Sequence, residues 1–209
     1  MVENMNWKLS SPPETPVVVA GGVVSLQVPL VKAIRDGLGG WTFTGPEGSE
    51  VSDTPAMETT LGAVSVVWPH VSGLIRVAPG QTAVWVWSRH GWATIGACDC
   101  GECVDPTAQD ISRAAWPEAL RPQQRARVDR AALEGHVSLG LMQQDESGFL
   151  LVGAYPGERP PISFVEVPLV NIIRRWPHTI RALTELAPGR VMHWQPQDLG
   201  WNCYELAMA

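Results

Sequence analysis

Three of the four cysteines in this chain fall within six positions, as Cys98-Asp99-Cys100-Gly101-Glu102-Cys103. A C-x-C-x-x-C run with Gly101 at its centre can turn tightly enough to aim three sulfurs at one tetrahedral ion, which is zinc chemistry. A closed site needs a fourth donor. Cys203 is the natural one, being the remaining cysteine, with His90 and His70 as alternatives and Asp99 as a further oxygen donor. Asp99, Glu102 and Asp105 surround the thiols. Their negative charge raises thiol pKa and counts against a free thiolate nucleophile. A bound dication reverses that logic, because coordination deprotonates a thiol outright. The segment is read first as a structural metal knuckle holding zinc. The same residues allow ordinary thiols without metal, or a redox pair of Cys100 with Cys103 in a thiol-dependent redox or transfer enzyme. The βαβ pattern that usually surrounds such a pair is missing.

The ten tryptophans, against two tyrosines and three phenylalanines, are the second unusual feature. Trp85 and Trp87 are spaced to share one strand face, the geometry of a stacking platform for a sugar or small ligand. Packing in the core and at its rim is the plainer account of so many indoles. The five histidines, His70, His90, His136, His178 and His193, are scattered. None forms a helical metal-binding pair, and no phosphate-binding glycine loop is present. Gly37-Leu38-Gly39-Gly40 falls at the end of an expected helix, where amides do not point at a phosphate.

The cysteine spacing resembles that of an uncharacterised actinobacterial family of about this length, in which the same C-x-C-x-x-C motif follows a strand opened by an aromatic-Pro pair. Trp68-Pro69 and Leu74-Ile75-Arg76-Val77 are comparable here. The resemblance covers at most residues 68–110, and it implies no activity.

The elements that must carry these residues read as α+β: a mixed or antiparallel sheet with three to four helices. Residues 1–16, with Pro12, Pro13 and Pro16, are expected to be a loose tail, and residues 17–209 a single domain. Strands are expected at 17–20, 23–28, 63–68, 74–77 and 82–87, with a hairpin turn at Pro79-Gly80. An apolar stripe of Leu30, Val31, Ile34 and Leu38 after Pro29 predicts a short helix. Further helices are expected over 106–115 and 122–134. Residues 137–143 and 149–154 predict a hairpin, and 162–167, 191–194 and 201–206 predict strands. The helix over 168–186 should break at Pro177. Residues 27–35 and 166–174 echo each other as strand end, proline and apolar stripe, the mark of a weak internal duplication or simply of a common helix opening.

Composition bounds the rest. At 209 residues, 45% hydrophobic and 17% charged, the chain can bury a full core. The net charge of −6 comes from residues 1–110, while 111–209 balance. Neither half offers the basic surface that nucleic acid requires. No apolar run approaches a membrane span, and the first residues lack a signal-peptide pattern, so a cytoplasmic location is expected. Abundant Ala, Gly, Val, Arg and Pro with two lysines fits a GC-rich bacterial gene. The composite expectation is a non-enzymatic protein with a zinc knuckle and a protein partner. A carbohydrate or small-ligand binder built on Trp85 and Trp87 is the other binding reading.

Overall fold

The computed structural model describes residues 7–48, 54–95, 110–111, 114–155, 157, 160–195 and 200–205. Within them lie two six-stranded mixed sheets, with helices at their crossovers. The class is mixed α and β as expected, but richer in sheet than three to four helices on one sheet. Where one domain over 17–209 was expected, the chain divides into two compact units. One comprises 7–115 with 174–177, the other 116–173 with 178–209.

The first unit runs β1 (Pro16–Val19), α1 (Gly21–Val24), β2 (Lys32–Arg35), β3 (Trp41–Thr44), β4 (Met57–Thr60) and α2 (Leu61–Val67). A 3-10 helix (Pro69–Arg76), β5 (Thr82–Val86), a 3-10 turn (Trp87–Arg89) and β6 (Gly91–Thr94) complete it. The sheet order is β4-β1-β3-β2-β5-β6. The second unit has β7 (Arg125–Asp129), α3 (Arg130–Leu133), β8 (Leu139–Asp145), β9 (Gly148–Gly153) and β10 (Phe164–Pro168). These are followed by α4 (Leu169–Arg175), α5 (Thr179–Glu185), β11 (Arg190–Gln195) and β12 (Gly200–Glu205). Its order is β10-β7-β9-β8-β11-β12.

The two orders are the same when β1 is matched to β7 and each later strand to its counterpart. The match extends to register. Val17 lies opposite Trp41 in a parallel pair, as Ala126 lies opposite Phe149. Ala33 faces both Phe43 and Ala83, as Met142 faces both Leu151 and Met192. Trp85 faces Trp92, as Trp194 faces Trp201. The chain is one module written twice, over residues 16–94 and 125–205. A strand register slipped by one residue would exchange its core and solvent faces, so agreement across every pair is a strict criterion.

The duplication does not pair 27–35 with 166–174. Lys32–Arg35 is strand β2, whereas Leu169–Arg175 is helix α4. The stripe that predicted a helix fails because Asp36-Gly37-Leu38-Gly39-Gly40 is a hairpin loop. Asp36 Oδ1 accepts the Leu38 and Gly40 amides, each at 2.8 Å, and Leu38 is fully exposed. The second copy turns at the equivalent Asp145, whose Oδ1 accepts the Ser147 amide at 2.7 Å. An aspartate accepting an amide two residues on is a turn-forming bond that competes with helix.

Other local expectations also exchange type. Where strands were expected at 23–28 and 63–68, helices stand at 21–24 and 61–67. In α2 the β-branched run is overridden by burial of Leu61, Val64 and Ser65 at helical spacing, with Thr60 Oγ1 capping the Ala63 amide at 3.3 Å. Residues 74–77 end a 3-10 helix instead of forming a hairpin strand. Residues 125–129 of the expected second helix form β7. The helix expected at 106–115 falls mostly outside the described residues. The break at Pro177 separates α4 from α5.

The modules differ at the start of their first helix, where the first has Ala20 and no side-chain cap. In the second, Asp129 is almost wholly buried and accepts from the Ala131 amide (3.0 Å), the Gly153 amide (3.1 Å) and the Tyr155 hydroxyl (2.6 Å). Asp129→Ala removes all three acceptor contacts and strands a buried amide. Destabilisation by about 3 kcal/mol is expected, read from the urea midpoint.

Candidate functional site

The repeat carries one set of side chains intact. Trp68-Pro69-His70, Ala78-Pro79-Gly80, Trp85 and Gly91-Trp92 return as Trp176-Pro177-His178, Ala187-Pro188-Gly189, Trp194 and Gly200-Trp201. In each copy the histidine follows the helix after the fourth strand, and the last two tryptophans pair across the final hairpin. The topology brings the three rings together.

In the first copy His70 lies flat on Trp92, with centroids 5.6 Å apart and planes 3° apart, and edge-on to Trp85 at 5.2 Å. Trp85 and Trp92 meet edge to face at 5.6 Å. In the second, His178 lies flat on Trp201 at 5.9 Å and 13°, and edge-on to Trp194 at 5.5 Å. Trp194 and Trp201 meet at 5.4 Å. These are the offset and T-shaped contacts that aromatic quadrupoles favour. The rings touch, so neither cluster encloses a ligand slot between them.

Hydrogen bonds fix the first cluster. His70 Nε2 donates to the Leu30 carbonyl at 2.7 Å, and the Trp92 indole donates to the His70 carbonyl at 2.7 Å. Gly73 permits the approach, since a Cβ there would sit 2.8 Å from Trp92 Cδ1. The 3-10 helix, the residues leading into β2, and β6 are thereby joined at one histidine. Burial pushes the His70 pKa down to about 4, opposed by the bond to Leu30. At neutral pH the ring is uncharged and committed to that carbonyl. It is a fastener, poorly suited to proton transfer or metal ligation.

Trp85 and Trp87, the expected ligand platform, are 4% and 0% exposed and meet edge to face at 6.1 Å. Trp87 belongs to the 3-10 turn after β5. Both indoles are core. The sequence reading overlooked the Trp-Pro-His repeat, which the spacing of the tryptophans could have revealed.

Cys98, Cys100 and Cys103 lie outside the described residues, in the stretch between β6 and β7. Cys203 is exposed on β12, opposite Met192. The matching residue of the first copy is Thr94. His90 occupies a left-handed position, φ 48°, where it ends the 3-10 turn. Its Nε2 donates to the Ala115 carbonyl at 2.8 Å, and its buried Nδ1 has no hydrogen-bond partner among the described residues. Among the described residues, no three acids, histidines or cysteines are grouped to hold a metal. No described helix is long and apolar enough to cross a membrane. Comparisons with family models, with curated proteins and with solved structures returned no match.

Two expectations follow. Trp92→Phe should cost about 1 kcal/mol more than Trp201→Phe, measured by chemical unfolding. Trp92 alone of the pair donates its indole N–H to a protein carbonyl, whereas the Trp201 Nε1 has no partner among the described residues. Acid should also act through His70. Its folded-state pKa lies below the unfolded value, so the stability its neutral form contributes is full above pH 6.5 and is lost as pH falls towards about 4. The loss is on the order of 3 kcal/mol and should shrink in His70→Gln, compared by unfolding at pH 7, 5.5 and 4.

Proposed function

We propose that the chain is a non-enzymatic binding protein: two copies of one β-rich module, joined by a segment in which Cys98, Cys100 and Cys103 hold a structural zinc ion. The duplicated register carries this reading. Repetition of a whole module, with its fastening residues retained, enlarges the surface that one chain presents. It also makes a second engagement with the same partner intramolecular. A protein partner is the fitting occupant.

The cysteines fall between the last strand of one copy and the first of the next, so they add to the repeated pattern. A small closed knuckle would cross-link such a connecting stretch, and its binding energy would become folding energy for that stretch. His90 is the better fourth ligand. Donation from Nε2 to a backbone carbonyl leaves the Nδ1 lone pair for a metal, the arrangement in which an outer hydrogen bond fixes the tautomer of a ligating imidazole. His70 donates to Leu30 in the same way, but its ring is buried against Trp85 and Trp92. Cys203 belongs to the second unit, whereas His90 stands eight positions before Cys98 in the first.

Elemental analysis of the purified chain tests this. About one zinc per chain is expected, with Cys100→Ser and His90→Ala losing it and Cys203→Ser retaining it. Less than about a tenth of an equivalent in the parent chain would sink the metal reading. Retention of zinc by His90→Ala together with its loss from Cys203→Ser would reassign the fourth ligand.

A further inference from the structure

The second copy of the module places a tyrosine ring where the first copy has an open cleft. The Tyr155 hydroxyl donates to Asp129 Oδ2 at 2.6 Å. The ring edge lies over Gly153: a Cβ built there would be 3.4 Å from Tyr155 Cε2, 3.0 Å from Asp129 Oδ2 and 2.4 Å from a Val137 methyl. Tyr155, Asp129, Gly153 and Val137 therefore converge on one spot. By register and chain order their counterparts in the first copy are Glu47, Ala20, Gly45 and Val28. All four line a single cleft, together with Val23 of α1 and Lys32 of β2. The cleft holds about 360 Å³ of empty space, counting the part open to solvent. Much of that space is open to solvent, so a ring seated there would be only partly enclosed.

The carboxylate has changed walls between the copies. Asp129 stands at the end of β7, where the first copy has only Ala20. In the first copy the acid is Glu47, at the position from which Tyr155 projects in the second. Lys32 Nζ bonds Glu47 Oε1 at 2.9 Å. That hydrogen bond, and then the ammonium charge, hold the Glu47 pKa below the ordinary carboxylate range. Glu47 is thus an ionised acceptor at neutral pH, and its side chain is mostly exposed and able to adjust.

We propose that this cleft is a binding site for a small free phenol, its ring against Ala20, Val28 and Gly45 and its hydroxyl donated to the Glu47 carboxylate. The ligand supplies to the first copy the ring that Tyr155 supplies to the second. Phenol-to-carboxylate bonding is the same chemistry in both, with donor and acceptor approaching from exchanged sides. A charge-assisted hydrogen bond of this kind is stronger than a neutral one, so the hydroxyl decides between a phenol and a plain arene. The site lies within the first unit and does not depend on the zinc reading.

The test titrates the full chain with p-cresol, the tyrosine side chain as a free molecule, and follows backbone amides by ¹⁵N NMR. Saturable shifts centred on Ala20, Gly45 and Glu47 are expected, with Kd about 1 mM. Toluene, which lacks the hydroxyl, should bind at least about tenfold more weakly. Glu47→Tyr gives the first copy its own ring and should abolish the shifts, while the same spectra report that the variant is folded. Glu47→Gln keeps a neutral acceptor and should weaken binding without abolishing it. The proposal is overturned if shifts fail to saturate by about 10 mM. It is equally overturned if toluene binds as well as p-cresol, or if folded Glu47→Tyr binds like the parent chain.

Discussion

A histidine ring laid flat on one tryptophan and edge-on to another is the contact on which each half of this molecule closes. The two tryptophans face one another across the last hairpin, so they are already neighbours once that hairpin forms. The histidine comes from the other side of the crossover, behind the Trp-Pro step that ends the preceding helix. Bringing it in therefore joins the end of the crossover to the end of the sheet. In the first copy the imidazole also reaches the carbonyl of Leu30, ahead of β2. A residue that ties three separate segments cannot be exchanged for an apolar one of similar size without stranding a buried carbonyl. The same need keeps the ring neutral.

Set side by side, the copies separate what the module requires from what it tolerates. Both keep the Trp-Pro-His step, the Ala-Pro-Gly turn and the cross-strand tryptophans, and both turn the hairpin between their second and third strands on an aspartate. Length changes are confined to two places: the hairpin after that aspartate, longer in the first copy, and the approach to Ala-Pro-Gly, longer in the second. Neither interrupts a strand ladder. What has drifted is the wall beside the first helix, Ala20 and Glu47 against Asp129 and Tyr155, where one copy is filled and the other open. Divergence of that kind is where two copies of a fold acquire different work.

Much of the second copy was legible in the sequence. Its hairpin over 137–154, the strand before Pro168, the helix split at Pro177 and the closing strands each follow from period, turn residues or proline. The first copy was less so, for physical reasons. Its α2 is built from residues that favour strands, and burial of Leu61 and Val64 decides its conformation. Its stripe of Leu30, Val31, Ile34 and Leu38 is no helix face, since it runs from a buried pair through β2 to a fully exposed loop residue. The duplication escaped a nine-residue comparison because the copies share only scattered tryptophan, proline, histidine and glycine positions, while the residues between them differ. Trp85 and Trp87 look alike in sequence to exposed rings, but β5 carries the one inside and the 3-10 turn the other. Nothing in the spacing of His90 announced its left-handed backbone or its bond to Ala115.

One small feature carries a larger consequence. After the first short helix of each copy the chain bends through the left-handed region, at Leu26 with φ 63° and at Gly135 with φ 80°. Glycine enters that region freely, whereas leucine does so at a cost. Leu26 meets that cost by packing against the core of its unit. The bend is thus a demand of the architecture, met once by conformational freedom and once by burial. Two different currencies of stability sit at one address in a single polypeptide, so neither copy serves as a consensus for the other at that corner.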